Sequence, residues 1–113
     1  MQPQGHVQVL LNQLVFGLDA QASLDAPRIC IGAGMPDAGD VMDRTVYLEE
    51  GISEETVAGM KKLGHKVQVV KGLERGLFGR GQLIQWTVDP VEKAGIWSAG
   101  SDQRGDGHAV PAL

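Results

Sequence analysis

The sequence predicts an α+β protein, with helices on one face of a largely antiparallel sheet. Three observations carry this. Apolar residues recur at helical spacing in some segments and alternate in others. The segments follow the order α, α, β, β, α, β, β, β, with no internal repeat and no linker. Of 113 residues, 16 are glycine, about twice the usual share, which favours turns and close backbone approaches over a helical bundle.

The first helix is read from Val7, Leu10, Leu11, Leu14, Val15 and Leu18. These form one apolar stripe, with Gln and Asn opposite. Pro3 suits the first turn, where a missing N–H costs nothing. Gly17 ends the helix, and Asp19 caps a short second one over residues 20–26. Pro27 then forces extended chain. Residues 28–31 read as a short strand around Cys30. Residues 32–43 are a loop rich in Gly, Asp and Pro.

Residues 45–48 are β-branched and aromatic, hence a strand. Ser53 caps the clearest helix, with Glu54 and Glu55 in its first turn and Lys61 and Lys62 in its last. Val57, Met60 and Leu63 form its expected core face, and Gly64 its stop. Val67 and Val69 alternate with Lys66 and Gln68, as in a half-buried strand. After a loop over residues 72–81, a strand over residues 82–88 places Ile84, Trp86 and Val88 on one face. A turn at Asp89-Pro90 leads to a last strand over residues 95–99, a hairpin by its spacing. Residues 101–113 read as loop.

Apolar residues make up 42% of the chain and its formal charge is −4. That composition fits one domain over residues 1–113 with a core of its own. No basic face with interleaved aromatics exists, which argues against a nucleic-acid partner. No apolar stretch approaches the roughly 18 residues of a membrane span. The N-terminus lacks the charged and apolar regions of a secretory signal. A soluble, cytoplasmic protein is expected. The single Cys30 lies between two isoleucines and reads as a small buried hydrophobe.

Chemical constellations are few. His6, His65 and His108 have no metal-ligand spacing, so no metal site and no cofactor are expected. Asp37, Asp40 and Asp43 lack the pattern of a calcium loop and read as a solvated acidic loop. Gly76, Gly79 and Gly81 precede a strand, not the helix a phosphate cradle needs. Gly32-Ala33-Gly34 fails the dinucleotide test because Met35-Pro36 follows instead of a helix. Arg104-Gly105-Asp106 is a chance tripeptide. Ser101, Asp102 and His108 supply triad residue types without a nucleophile elbow.

Three stretches together resemble the gamma-glutamyltranspeptidase family, in its acylase-like branch. The first runs from Met1-Gln2-Pro3-Gln4-Gly5-His6-Val7-Gln8 through Asn12 and Phe16-Gly17 to Ala26-Pro27-Arg28. The second is Glu50-Gly51, the Ser53 helix and Leu63-Gly64-His65-Lys66-Val67. The third is Gly81-Gln82-Leu83-Ile84, a hairpin, then Ala99-Gly100-Ser101-Asp102-Gln103-Arg104-Gly105-Asp106-Gly107. Their order matches the C-terminal end of the family's small subunit. The family usually has Ser-Asp-Pro-Arg where this chain carries Gln103, and the ending over residues 109–113 lacks the usual glycine-aromatic pattern.

The resemblance implies part of an N-terminal-nucleophile hydrolase αββα sandwich. In such enzymes a threonine freed by self-cleavage attacks a gamma-glutamyl amide, its own amine acting as base. A Gly-Gly pair stabilises the oxyanion. By resemblance both lie upstream of Met1, so the chain reads as starting mid-domain. Its threonines, Thr45, Thr56 and Thr87, sit far from the start, and no catalytic residue is assigned. Gln2, Gln4 and His6 would border the acyl pocket, helix-start solvation being the plainer reading.

The expectation is an inactive C-terminal fragment of a gamma-glutamyltransferase or glutathione-hydrolase-like amidohydrolase. Its partner would be the remainder of the parent enzyme, or a self-pairing partner, covering an exposed sheet. The alternatives are a truncated, non-catalytic binding or interaction module of the same fold, and an unrelated small α+β domain.

Overall fold

The computed structural model describes residues 1–32 and 43–111. The chain forms two compact units. One comprises Met1–Gln8 and Pro27–Gly79, the other Val9–Ala26 and Arg80–Leu113. Helix α1, Gln2–Leu14, contributes residues to both. Among the described residues, no helix is long and apolar enough to cross a membrane.

The first unit holds strands β1 (Ile29–Ile31), β2 (Val46–Glu49) and β3 (Val67–Val70), and helix α3 (Glu54–Lys62) between the last two. The sheet order is β1-β2-β3. β1 runs antiparallel to β2, with Cys30 opposite Tyr47, and β3 runs parallel to β2, with Val46 opposite Val67. This β2–β3 pair is the one parallel pairing among the described residues. Helix α3 carries the chain back to the starting end of β2, so β3 must run the same way. The α+β class stands, and the other strand pairs are antiparallel.

Register explains the core. Cys30 and Val70 share one sheet face and pack with Phe78, flanked by Met1, Tyr47 and Leu77. Val46 and Leu48 are buried on the other face, so β2 is covered on both sides. Residues 72–78, expected as loop, form a 3-10 helix, Gly72–Phe78. The buried Arg28 reaches its end, donating Nη1 to the carbonyls of Phe78 and Gly79, both at 3.3 Å.

Helix α3 starts as its sequence requires. Ser53 Oγ accepts from the Thr56 N–H at 3.1 Å, and Gly64 leaves the helix with φ of 90°. Its core face is narrower than expected. Val57 and Met60 are half-buried, but Leu63 is 77% exposed. Leu63 is the non-helical C-cap residue, so it has left the stripe that the 3.6-residue period assigned to it. In β3, Val69 is exposed and Val70 buried, because the covered face continues from Cys30 and Tyr47 to Val70.

The second unit is a β-hairpin with helix α2 (Ala20–Asp25) against it. Asp19 caps α2, accepting from the Ala22 N–H at 2.7 Å. Strands β4 (Gln82–Val88) and β5 (Gly95–Ser101) pair with Trp86 opposite Trp97. Gly100 permits the approach of α2: a Cβ there would lie 2.9 Å from the Ala20 carbonyl carbon and oxygen. Leu83, Gln85, Ser98 and Gly100 face that side. The opposite face carries Ile84, Trp86, Val88 and Trp97, all exposed, with the two indoles 4.5 Å apart.

Helix α1 ends at Leu14, before Val15 and Leu18 of the expected stripe. That stripe points outward: Val7, Leu10, Leu11 and Leu14 are exposed, Leu14 to 78%. Its Gln and Asn side makes the contacts.

Candidate functional site

The first two turns of α1 lie along β1. β1 is an edge strand. Its partner β2 bonds the backbone groups of Arg28 and Gly32, since the Glu49 N–H donates to the Arg28 carbonyl and the Gly32 N–H to the Thr45 carbonyl. Antiparallel pairing alternates, so the N–H and C=O of Ile29 and Ile31 point away from β2. Two glutamines meet them. Gln4 Oε1 accepts from the Ile31 N–H at 2.8 Å, while its Nε2 donates to the Ile31 carbonyl at 3.0 Å. Gln8 does the same for Ile29, at 2.7 and 2.9 Å. Gln8 Nε2 also donates to the Gln4 carbonyl at 3.0 Å.

Of the predicted site residues, Gln2 and His6 are exposed on α1, whereas the Gln4 amide is spent on β1. Gln8 was not singled out from sequence. The signal that could have found it is the i, i+4 repeat of glutamine, which puts both amides on one helix face.

In the second unit, Asp102 and Arg104 form a buried ion pair at 2.9 Å. Asp102 Oδ2 accepts from the Gly81 N–H at 2.8 Å, and Oδ1 from the Arg104 N–H at 3.0 Å. Arg104 Nη1 donates to the Leu24 carbonyl at 2.8 Å and Nη2 to that of Ala26 at 3.2 Å. The guanidinium thus satisfies carbonyls left open at the C-terminal end of α2. This clamp holds the loop after β5 with Gln103 in place of the family's proline, and Gln103 Nε2 adds a bond to the Asp25 carbonyl at 3.4 Å.

The same contacts consume the triad residue types. Asp102 belongs to Arg104 and Gly81, the Ser101 hydroxyl meets Gln82 Nε2 at 3.0 Å, and His108 is exposed. His6 and His65 are exposed too. Cys30 is fully buried, and burial pushes its thiol above the ordinary range, away from the thiolate a nucleophile needs. No cluster of His, Cys, Asp or Glu able to hold a metal occurs among the described residues. Asp37 and Asp40 of the acidic loop, and most of the Gly32-Ala33-Gly34 segment, lie outside those residues. Asp43 lies within them. Thr45, through its side chain and then its N–H, holds the Asp43 carboxyl below the usual range, helped by the Tyr47 hydroxyl at 3.0 Å.

Of the threonines, Thr45 is buried and Thr56 joins the α3 cap through Ser53 Oγ at 2.8 Å. Thr87 is exposed on β4. Among the described residues, these side chains form a set of backbone clamps.

Comparison with known proteins bears on the family and the fold. The family model described as gamma-glutamyltranspeptidase matches residues 1–112. The chain is similar to the cephalosporin acylase of Bacillus halodurans, with 36% identity and a TM-score of 0.73 over 94% of this chain and 17% of that one. It is similar in fold to a mutant gamma-glutamyltranspeptidase of Helicobacter pylori, at 17% identity and a TM-score of 0.69, covering 91% of this chain and 48% of that one. The transpeptidase CapD of Bacillus anthracis gives 17% identity and a TM-score of 0.67, covering 97% and 57%. The chain therefore spans less than two thirds of each relative's length. A search of curated proteins returns no match.

Proposed function

The chain belongs to the gamma-glutamyltranspeptidase family, and we propose that it serves as the C-terminal part of an acylase-like small subunit, within a single domain completed by other polypeptide. In this reading the whole enzyme is a gamma-glutamyltransferase or glutathione-hydrolase-like amidohydrolase. This segment supports the reaction and does not perform it.

One observation carries the proposal: every side chain of catalytic type in the described residues is engaged in packing or clamping, or is exposed without a partner group. Amide chemistry of this kind needs an activated nucleophile and oxyanion donors, which in this reading are supplied by the rest of the enzyme. Gln2 and His6, exposed at the start of α1, remain available to border an acyl pocket formed by that preceding segment. Gln4 would then hold the helix in place. The remainder of the enzyme is proposed to cover the outward faces of α1 and the hairpin.

A gamma-glutamyl anilide and a cephalosporin serve as test substrates for the purified chain. Turnover of neither is expected. Activity that persists through further purification would overturn the reading. An interaction module of the same fold is the second reading, favoured by the exposed Trp86–Trp97 pair.

A further inference from the structure

We infer that the 3-10 helix Gly72–Phe78 is a hinged strap: it swings away from the Cys30 side of the three-stranded sheet while the strands stay paired, and so governs access to that side. Both of its ends turn on glycine. Gly72 has φ of 59°, and Gly79 has φ of 73° with ψ of −176°, the second a conformation that essentially only glycine adopts. Neither glycine is required by close packing. A Cβ at Gly72 would meet nothing within 4 Å, and one at Gly79 only Met1 Cγ, at 3.9 Å.

The attachment between the two ends is thin. Seven residues is long for a 3-10 helix, whose hydrogen-bond geometry is poor. Among the described residues, no backbone-to-backbone hydrogen bond ties residues 72–78 to another element. Leu73 is fully exposed, and Phe78 is the one buried side chain of the seven. The polar ties are long. Arg28 reaches the Phe78 and Gly79 carbonyls at 3.3 Å, and Arg75 Nη1 stands 3.8 Å from Glu49 Oε1.

Beneath the strap, Phe78 packs with Cys30 and Val70, flanked by Leu77, Tyr47 and Met1. Cys30 is 0% exposed, so its thiol reacts only when a cover leaves. Segments with few buried contacts open locally, below the cost of global unfolding. An open strap bares an apolar sheet face with the thiol at its centre. Departure of Met1 with the start of α1 is the competing route.

The experiment alkylates the full chain with iodoacetamide, iodide leaving as the Cys30 sulfur bonds carbon, across a urea series that starts well below the unfolding transition. Strap opening exposes little surface, so the low-urea rate should be nearly independent of urea and steepen only as the chain unfolds. Gly79→Ala strains the closed strap and should raise the low-urea rate roughly tenfold. Arg75→Met removes the partly exposed ion pair and should raise it roughly threefold. Gln4→Ala loosens the start of α1 instead and should leave the rate close to that of wild type.

A wild-type rate that follows global unfolding from zero urea overturns the strap. So does a Gly79→Ala chain that reacts no faster than wild type, or a Gln4→Ala chain that reacts as fast as Gly79→Ala. If Gly79→Ala does not fold, Arg75→Met decides in its place by the same comparisons.

Discussion

Asp89 organises the turn between β4 and β5. Its carboxylate accepts from the Glu92 and Val91 N–H groups, both at 2.7 Å, and these bonds, Glu92 first, hold it below the ordinary carboxylate range. The charged form is therefore favoured by folding. Its stabilisation is present above the unfolded carboxyl's titration and disappears as pH falls through the lower, folded value. The wild-type hairpin should lose stability on acidification. Asp89→Asn keeps an acceptor and removes the charge, and its acid dependence should be weaker by urea denaturation at neutral and acidic pH. An unchanged dependence would exclude Asp89 as the source. Asp89-Pro90 was legible as a turn because those residue types favour one. The partners of Gln4 were not legible, because they lie 27 residues away in a strand whose edge position depends on tertiary pairing.

At the scale of elements, α2 is held by two devices. Gly100 lets it approach the hairpin, and Arg104 closes its end. Both members of the Asp102–Arg104 pair are buried, so removing one strands the other. Arg104→Met should cost about 3–5 kcal/mol, as for other broken buried pairs. Replacing both, Asp102→Asn with Arg104→Met, should cost less than the sum of the single changes. Thermal or urea unfolding of the three variants provides the check; additive costs would mean the pair is not coupled. Elements with local signals were readable in advance: Ser53 and Gly64 bracket α3, and alternation set the faces of β4. The direction of β3 was not, since strand propensity names a strand without naming its neighbour.

Among the described residues, exposed apolar side chains gather on the α1 stripe and on the Ile84, Trp86, Val88 and Trp97 face of the hairpin. Large exposed apolar patches mark contact surfaces in soluble proteins. The chain by itself should self-associate and bind a hydrophobic dye. Ile84→Lys with Val88→Lys should reduce sedimentation as oligomer and leave the circular dichroism of the fold intact, because both side chains already face solvent. Retained association would place the contact on α1, and Leu14→Lys would then relieve it. Sequence periodicity identified the Ile84, Trp86 and Val88 face and the α1 stripe as far as Leu14, while Val15 and Leu18 fall beyond the helix. It could not tell which side of α1 meets the protein, because the spacing of apolar residues records the contrast between two sides of a helix and not what lies against either.

Helix α1 contains no Asp, Glu, Lys or Arg, and uncharged amides fasten its first turns to β1. Those amide bonds carry no formal charge for counter-ions to screen. Ionic strength acts on charge pairs in proportion to their exposure, and so reaches Arg75–Glu49 through its Arg75 side, 33% exposed, more than through the buried Glu49. The amide bonds that join α1 to β1 offer it no such handle, so charge screening should loosen that seam less than a charge-held one.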